Sequence, residues 1–298
     1  MCRNLWQLPA ARSALGRLSA VMGQDLESVT TRLPSAELSL TLNAQRAIHA
    51  HHVGHWLAFR EAHPEVRLDG AVGHSIGIVA ALVAADALSV EDSGVFVLAR
   101  ARAFAEACAA LPRPAGLAAL STENLDDALD ELAAFPSLAL ALRNSVGKGA
   151  VGGPIDDLQA FAAKARSEGW PLRVQLLSVE GPYHTAAFAS CRERLAPVLS
   201  ALTIRKPSLP VFFGTSGRAE SDPGRIRELL AAQPATPEMH LDAVRASYAA
   251  GCRAYLEVAA RPQPIRWLSD QLVDDSGAPL PGVTATAVGT EEILGPLS

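Results

Sequence analysis

The chain has 298 residues, enough for one large α/β domain or two modest ones at ~100–200 residues each. Hydrophobic residues make up 49% and charged residues 19%, which excludes a disordered chain, and the net charge of −5 gives no basic footprint for nucleic acid or an anionic membrane. Apolar runs such as Ile78–Ala85 fall short of the ~20 residues that cross a bilayer.

The N-terminal MCRNLWQLPAARSALG has scattered arginines and no apolar core, so no secretory signal is expected. The four cysteines (Cys2, Cys108, Cys191, Cys252) form no C-x-x-C pair; neither a zinc site nor a disulfide framework is expected, and a reducing cytoplasm is. Helical periodicity covers Leu15–Val21 and Ala47–Ala58. Arg67–Val72 reads as a strand into Gly73, followed by helices over Ile78–Ala85 and Val90–Cys108. The prolines of Leu111–Pro114 mark a boundary. Beyond it come strand Leu117–Ser121, helix Leu125–Ala134, strands Leu138–Asn144 and Ala150–Gly152, helix Ile155–Glu168 and strand Arg173–Ser178. This βαββαβ order predicts a ferredoxin-like subdomain. A helix over Ala186–Leu202, a strand Leu209–Phe213, a helix near His240–Ala250 and a strand Arg253–Val258 follow, with one more strand within Gly282–Val288. The expected fold is α/β: a doubly wound, mainly parallel, α/β-hydrolase-like core of residues 1–113 and 179–298, with residues 114–178 as the inserted ferredoxin-like subdomain. Functional groups then gather at the C-terminal strand ends, facing a cleft between the two parts.

Gly73-His74-Ser75-Ile76-Gly77 is a G-x-S-x-G pentapeptide between a predicted strand and a predicted helix, the setting of a nucleophile elbow. The helix N-terminus behind it offers N–H groups to a developing oxyanion. Among the histidines, His49, His51, His52 and His55 share one predicted helix; their spacing lacks an acidic or cysteine partner for metal, and a polar helix face is expected. His63 falls in a polar loop and His240 begins a polar helix. His184, in Gly181-Pro182-Tyr183-His184-Thr185, follows an apolar strand and precedes a helix, where a base belongs.

GHSIG and GPYHT, 109 residues apart (184 − 75), resemble the malonyl-CoA:acyl-carrier-protein transacylase family, which includes the acyltransferases of fatty-acid and polyketide synthesis. Leu42-Asn43-Ala44-Gln45-Arg46-Ala47 resembles its T-x-x-A-Q-P-A segment, and the stretch from Arg100 through Phe104 to Ala107 resembles R-G-x-x-M-Q-E-A. Ala115–Ala119, Asn144-Ser145, Val151-Gly152-Gly153, Thr236-Pro237 and Gly251–Glu257 match further segments. The resemblance implies an enzyme that moves a malonyl or similar acyl group from CoA to the phosphopantetheine thiol of an acyl carrier protein by a ping-pong mechanism. No tightly bound cofactor, metal, nucleic acid or membrane is expected.

Carried over, the resemblance implies Ser75 as nucleophile and His184 as base, held by a backbone carbonyl in a two-residue dyad. It gives Ile76 as an oxyanion donor and Arg100 as the clamp on the malonyl carboxylate, with Arg102 a rival two residues away. Gln45, His74, Asn144 and Tyr183, which stand in the matching motifs, are expected at the substrate. Three departures stand out. The family's opening strand, ending in G-Q-G-x-Q, has no counterpart before Met22-Gly23-Gln24-Asp25-Leu26, which resembles its later L-G-x-D-L segment. That strand's glutamine N–H is half of the oxyanion hole, and losing one such donor costs ~10²–10³ in rate. Ile78 stands where glutamate is usual, and Ala259-Ala260-Arg261-Pro262 replaces a G-P-G turn. Two alternatives remain: an acyl-carrier-protein hydrolase on the same scaffold, and a truncated, non-catalytic acyltransferase-like subunit.

Overall fold

The N-terminal helices carry clear end signals. The computed structural model describes residues 3–259, 262–274 and 276–294, so Cys2, Ala260 and Arg261 lie outside the described residues. α1 (Pro9–Met22) opens with a proline, where no N–H is needed, and closes at Gly23 in the left-handed region (φ 62°). α2 (Leu26–Thr31) is capped by Asp25, whose side chain accepts the Ser28 N–H. α3 (Ser35–Leu38) and the 22-residue α4 (Thr41–Ala62) follow.

β1 (Ala71–Gly73) turns into α5 (Gly77–Ala84), and α6 (Val90–Ala109) starts at a Ser89 cap. α4 packs against α1, α5 and α6, and this enclosure buries His49, His51 and His55 to 2% exposure or less. The expected polar face of that helix is therefore corrected: its histidines lie inside. His49 Nε2 lies 2.9 Å from Ser93 Oγ, and His55 reaches the His51 carbonyl and Thr290. His63 is likewise buried, 2.9 Å from the Ile293 carbonyl, rather than in a polar loop.

Next come β2 (Ala115–Ser121), α7 (Leu125–Asp130), β3 (Ala139–Arg143), β4 (Lys148–Pro154), α8 (Ile155–Ser167) and β5 (Arg173–Leu176). They form an antiparallel sheet of order β3-β4-β2-β5, the ferredoxin-like arrangement. Its interior (Leu120, Leu125, Val151, Leu158, Phe161) is a cluster separate from the main core.

The chain then returns to the larger part through α9 (Cys191–Ala201), β6 (Val211–Phe213), β7 (Arg218–Glu220), α10 (Pro223–Ala232), α11 (His240–Ala249), β8 (Ala254–Val258), α12 (Leu268–Gln271) and β9 (Thr284–Val288). The long helix expected over Ala186–Leu202 is instead a 3₁₀ turn, Ala186–Phe188, followed by α9. β1 pairs in parallel with β6, β6 antiparallel with β7, and β8 in parallel with β9. Among the described residues β1 has a ladder partner on one edge only. α5 and α11 pack on β1 and β6, and α4 on β8, which gives the expected α/β class. Among the described residues no helix is long and apolar enough to cross a membrane.

Candidate active site

The turn from β1 to α5 takes three residues, and Ser75 sits in it with φ of 49°. Such a conformation in a non-glycine residue is strained and turns the side chain out of the strand. Gly73 is required by space, because a Cβ there would overlap Ile78 Cα and N. Gly77 is not: the nearest atom to a Cβ would be His52 Cε1 at 3.9 Å. The tight turn uses the N–H groups of Gly77, Ile78 and Val79, bonded to His74, Ser75 and Ile76 carbonyls at 2.8, 3.2 and 3.1 Å. The Ile76 N–H is not part of that set and stands at the N-terminus of α5.

His184 comes from the loop after β5, also at positive φ (61°), pinned by its N–H donating to the Pro234 carbonyl at 2.9 Å. Its Nδ1 lies 3.0 Å from the Gln233 carbonyl and its Nε2 lies 2.8 Å from Ser75 Oγ. A carbonyl only accepts, so Nδ1 carries the proton and Nε2 keeps a lone pair for the Ser75 hydroxyl. Burial pushes the imidazole down to about 3, and the positive charge of Arg100 and the neighbouring His74 add to that shift. The ring is neutral across the physiological range.

Arg100, on α6, is 2% exposed, whereas Arg102 is exposed, so Arg100 is the inward-facing arginine. Its guanidinium lies over the Phe104 ring, 4.1 Å from the centroid. It donates to Gln45 Oε1 and, at 3.3 Å, to Gln233 Oε1, while Nε has no partner among the described residues. Burial brings this guanidinium down to about 10, with Glu238 opposing the shift. Gln45 is itself held by Thr41, its Nε2 donating to Oγ1 at 2.9 Å.

The small sheet reaches the same place. Asn144, just past β3, has its Oδ1 2.9 Å from His74 Nε2, and its carbonyl accepts from Gln271 at 2.6 Å. His74 meets His240 and Trp267 edge-on, with centroids 5.0 and 5.4 Å away. His240 is 4% exposed, which corrects the expectation that it opens a polar helix. Tyr183 packs on Phe104 and Phe188, and its hydroxyl accepts the Glu180 N–H at 3.3 Å. It thus touches the ring beneath Arg100.

Two residues at the centre were not anticipated. Gln233 donates through Nε2 to the Ser75 carbonyl at 3.0 Å, accepts from Arg100, and gives its own carbonyl to His184. Glu238 is fully buried, 3.5 Å from that Gln233 amide. Neither stands at a spacing that local periodicity could tie to Ser75, 158 residues before Gln233. Among the described residues no three His, Cys, Asp or Glu side chains gather as a metal site.

The chain is similar to known acyltransferases over most of its length. The family described as an acyl transferase domain matches residues 1–295. A malonyl CoA-acyl carrier protein transacylase of Bacillus subtilis (strain 168) is 28% identical over 254 residues, 85% of this chain and 79% of that protein. The crystal structure of MCAT from Mycobacterium tuberculosis shares the fold at a TM-score of 0.86 and 22% identity, covering 97% of this chain and 92% of that one. A malonyl-transacylase solved in complex with a type II PKS acyl-carrier protein does so at 0.84 and 22%, covering 97% and 91%. Matched over almost its whole length, this chain belongs to the acyl transferase domain family.

Proposed function

We propose that this chain moves a malonyl unit from CoA to the phosphopantetheine thiol of an acyl carrier protein, through an acyl ester on Ser75. The observation that carries the reading is the 2.8 Å approach of Ser75 Oγ to a neutral His184, with a buried Arg100 joined to the same turn through Gln233. Two relatives whose names specify malonyl transfer to an acyl carrier protein support the substrate class.

In the first half-reaction His184 Nε2 takes the hydroxyl proton as Ser75 Oγ attacks the thioester carbonyl. The imidazolium that forms is held by the Gln233 carbonyl on Nδ1. The oxyanion faces the Ile76 N–H at the positive end of α5. Collapse expels CoA, and His184 returns its proton to the departing thiolate. The carrier-protein thiol then repeats the sequence in reverse, giving ping-pong kinetics. Arg100 forks onto the free malonyl carboxylate, a geometry a guanidinium holds better than an ammonium. Gln45 orients that fork, and His74 with Asn144 walls the pocket.

Intact-protein mass spectrometry with malonyl-CoA, acetyl-CoA and the Ser75→Ala variant tests this. A malonyl adduct is expected on the wild type only, transferring to added holo-carrier protein. An adduct that yields free malonate in place of transfer would establish a hydrolase. Among the described residues β1 pairs on one edge only, which favours one other reading, a non-catalytic subunit, for which neither adduct nor malonate would form.

A further inference from the structure

Glu238 is a carboxylate in an unusual position. Its backbone is stitched to β3, with its N–H donating to the Ala141 carbonyl and its carbonyl accepting from Arg143, both at 2.9 Å. This turns a fully buried side chain inward, against Gly214, where any Cβ would overlap the carboxylate. Oε2 faces the Gln233 amide at 3.5 Å, the Ser75 N–H points at the same carboxyl, and Oε1 has no hydrogen-bond partner among the described residues.

The charges around it are few. From the elbow comes His74, from the loop after β5 His184, and from α11 His240; burial lowers the pKa of all three, so each is neutral. The guanidinium of Arg143, on β3, is engaged by Asp126 at 2.8 Å. Arg100, on α6, remains, one amide away: Gln233 offers Oε1 to Arg100 and Nε2 to Glu238. Burial pushes the Glu238 carboxyl up to about 7, against the pull of the Ser75 N–H, Gln233 and Arg100. Its protonation therefore changes near neutral pH.

We propose that Glu238 is the resident counter-ion of Arg100, that an incoming dicarboxylic acyl group displaces it from that role, and that Glu238 takes up a solvent proton as malonyl is loaded. One buried guanidinium offsets one negative charge; a second carboxylate in the same water-poor pocket is stable only if one of the two is protonated. Above about pH 7 the site holds Arg100⁺ and Glu238⁻ before loading; afterwards it holds Arg100⁺, the malonyl carboxylate and neutral Glu238. An acetyl group brings no charge and requires no such proton. Glu238 is a selectivity-setting residue on this account, and the account rests on the Arg100 clamp proposed above.

The test is the ratio of malonyl to acetyl loading rates at limiting CoA ester, measured by mass spectrometry from pH 6 to 9. Taking the ratio cancels the titration of the dyad, which both substrates share. In the wild type the ratio is expected to fall by up to about tenfold per pH unit above about 7, and in Glu238→Gln to be flat. A flat wild-type ratio, or an equal slope in E238Q, overturns the proton coupling alone. Absence of malonyl loading at every pH overturns the transfer reading and the coupling with it. Should E238Q fail to fold, proton uptake by the wild type in weak buffer at pH 8 replaces it. Malonyl loading should consume close to one proton more than acetyl loading, since the released CoA thiol is common to both; a difference near zero refutes the proposal.

Discussion

Gln233 holds three parts of the site at once: the Ser75 carbonyl, the Arg100 guanidinium and, through its own carbonyl, His184. On the proposed reading the clamp and the dyad still separate in their effects: Arg100 meets only an acyl group that carries a carboxylate, whereas His184 serves every acyl group. If Arg100 clamps the malonyl carboxylate as proposed, Arg100→Ala should lower malonyl loading roughly 10–150-fold, leaving acetyl loading within a few-fold. Arg100→Lys should restore little, because a point charge does not fork across both oxygens. His184→Ala should slow loading of both acyl groups together, by about 10²–10⁴-fold. Stopped-flow release of CoA from the two esters distinguishes these patterns.

At the scale of elements, the β1–α5 turn depends unequally on its two glycines. Gly73→Ala forces a methyl into the Ile78 backbone and should cost about 1–3 kcal/mol, as overpacking does. Gly77→Ala has open space at the first position of a helix and should be neutral or stabilising by up to about 1 kcal/mol. Urea midpoints of the two variants decide the matter. Element recognition from sequence succeeded where apolar periodicity was long, as in α6 and α8. It missed α10, although Asp222 and Pro223 mark a helix start, with the Asp222 side chain accepting the Arg225 N–H at 2.7 Å. It also missed α2, α3 and β7, each of six residues or fewer, too short for any periodicity to register.

For the molecule as a whole, the main core and the separate cluster under the β2–β5 sheet, two of three hydrophobic clusters among the described residues, imply parts that loosen separately. Phe161, fully buried between Phe135 and Trp170, anchors the cluster under that sheet. Phe161→Ala should cost about 3–5 kcal/mol and raise hydrogen exchange in β2–β5 more than in β1 and α5. Seven histidines (His49, His51, His52, His55, His74, His184, His240) are held below their ordinary value, chiefly by burial. The unfolded chain takes up protons on them below about pH 6.5 and the native state does not, so stability should fall as pH drops from about 6.5 toward 3. Glu238, between about 4.5 and 7, and Glu257, also raised by burial, act in the opposite sense, but as two groups against seven. Urea midpoints at pH 5 and pH 7 should differ in favour of pH 7.

The sequence alone determined the α/β class, the ferredoxin-like order of β2 to β5, the turn carrying Ser75, and the pairing of that turn with His184. These follow from local periodicity, from two short motifs and from the resemblance they carry. The choice of Arg100 over Arg102 needed the packing of α6, since two neighbours on one helix differ only in which side meets the core. The burial of the α4 histidines depended on helices closing around α4, which composition cannot convey. Gln233 and Glu238 join Ser75 only when a loop more than 150 residues downstream folds back over the elbow, and that is a tertiary fact. Glu238 and Arg100 are ordinary polar sequence until folding buries both on either side of the Gln233 amide.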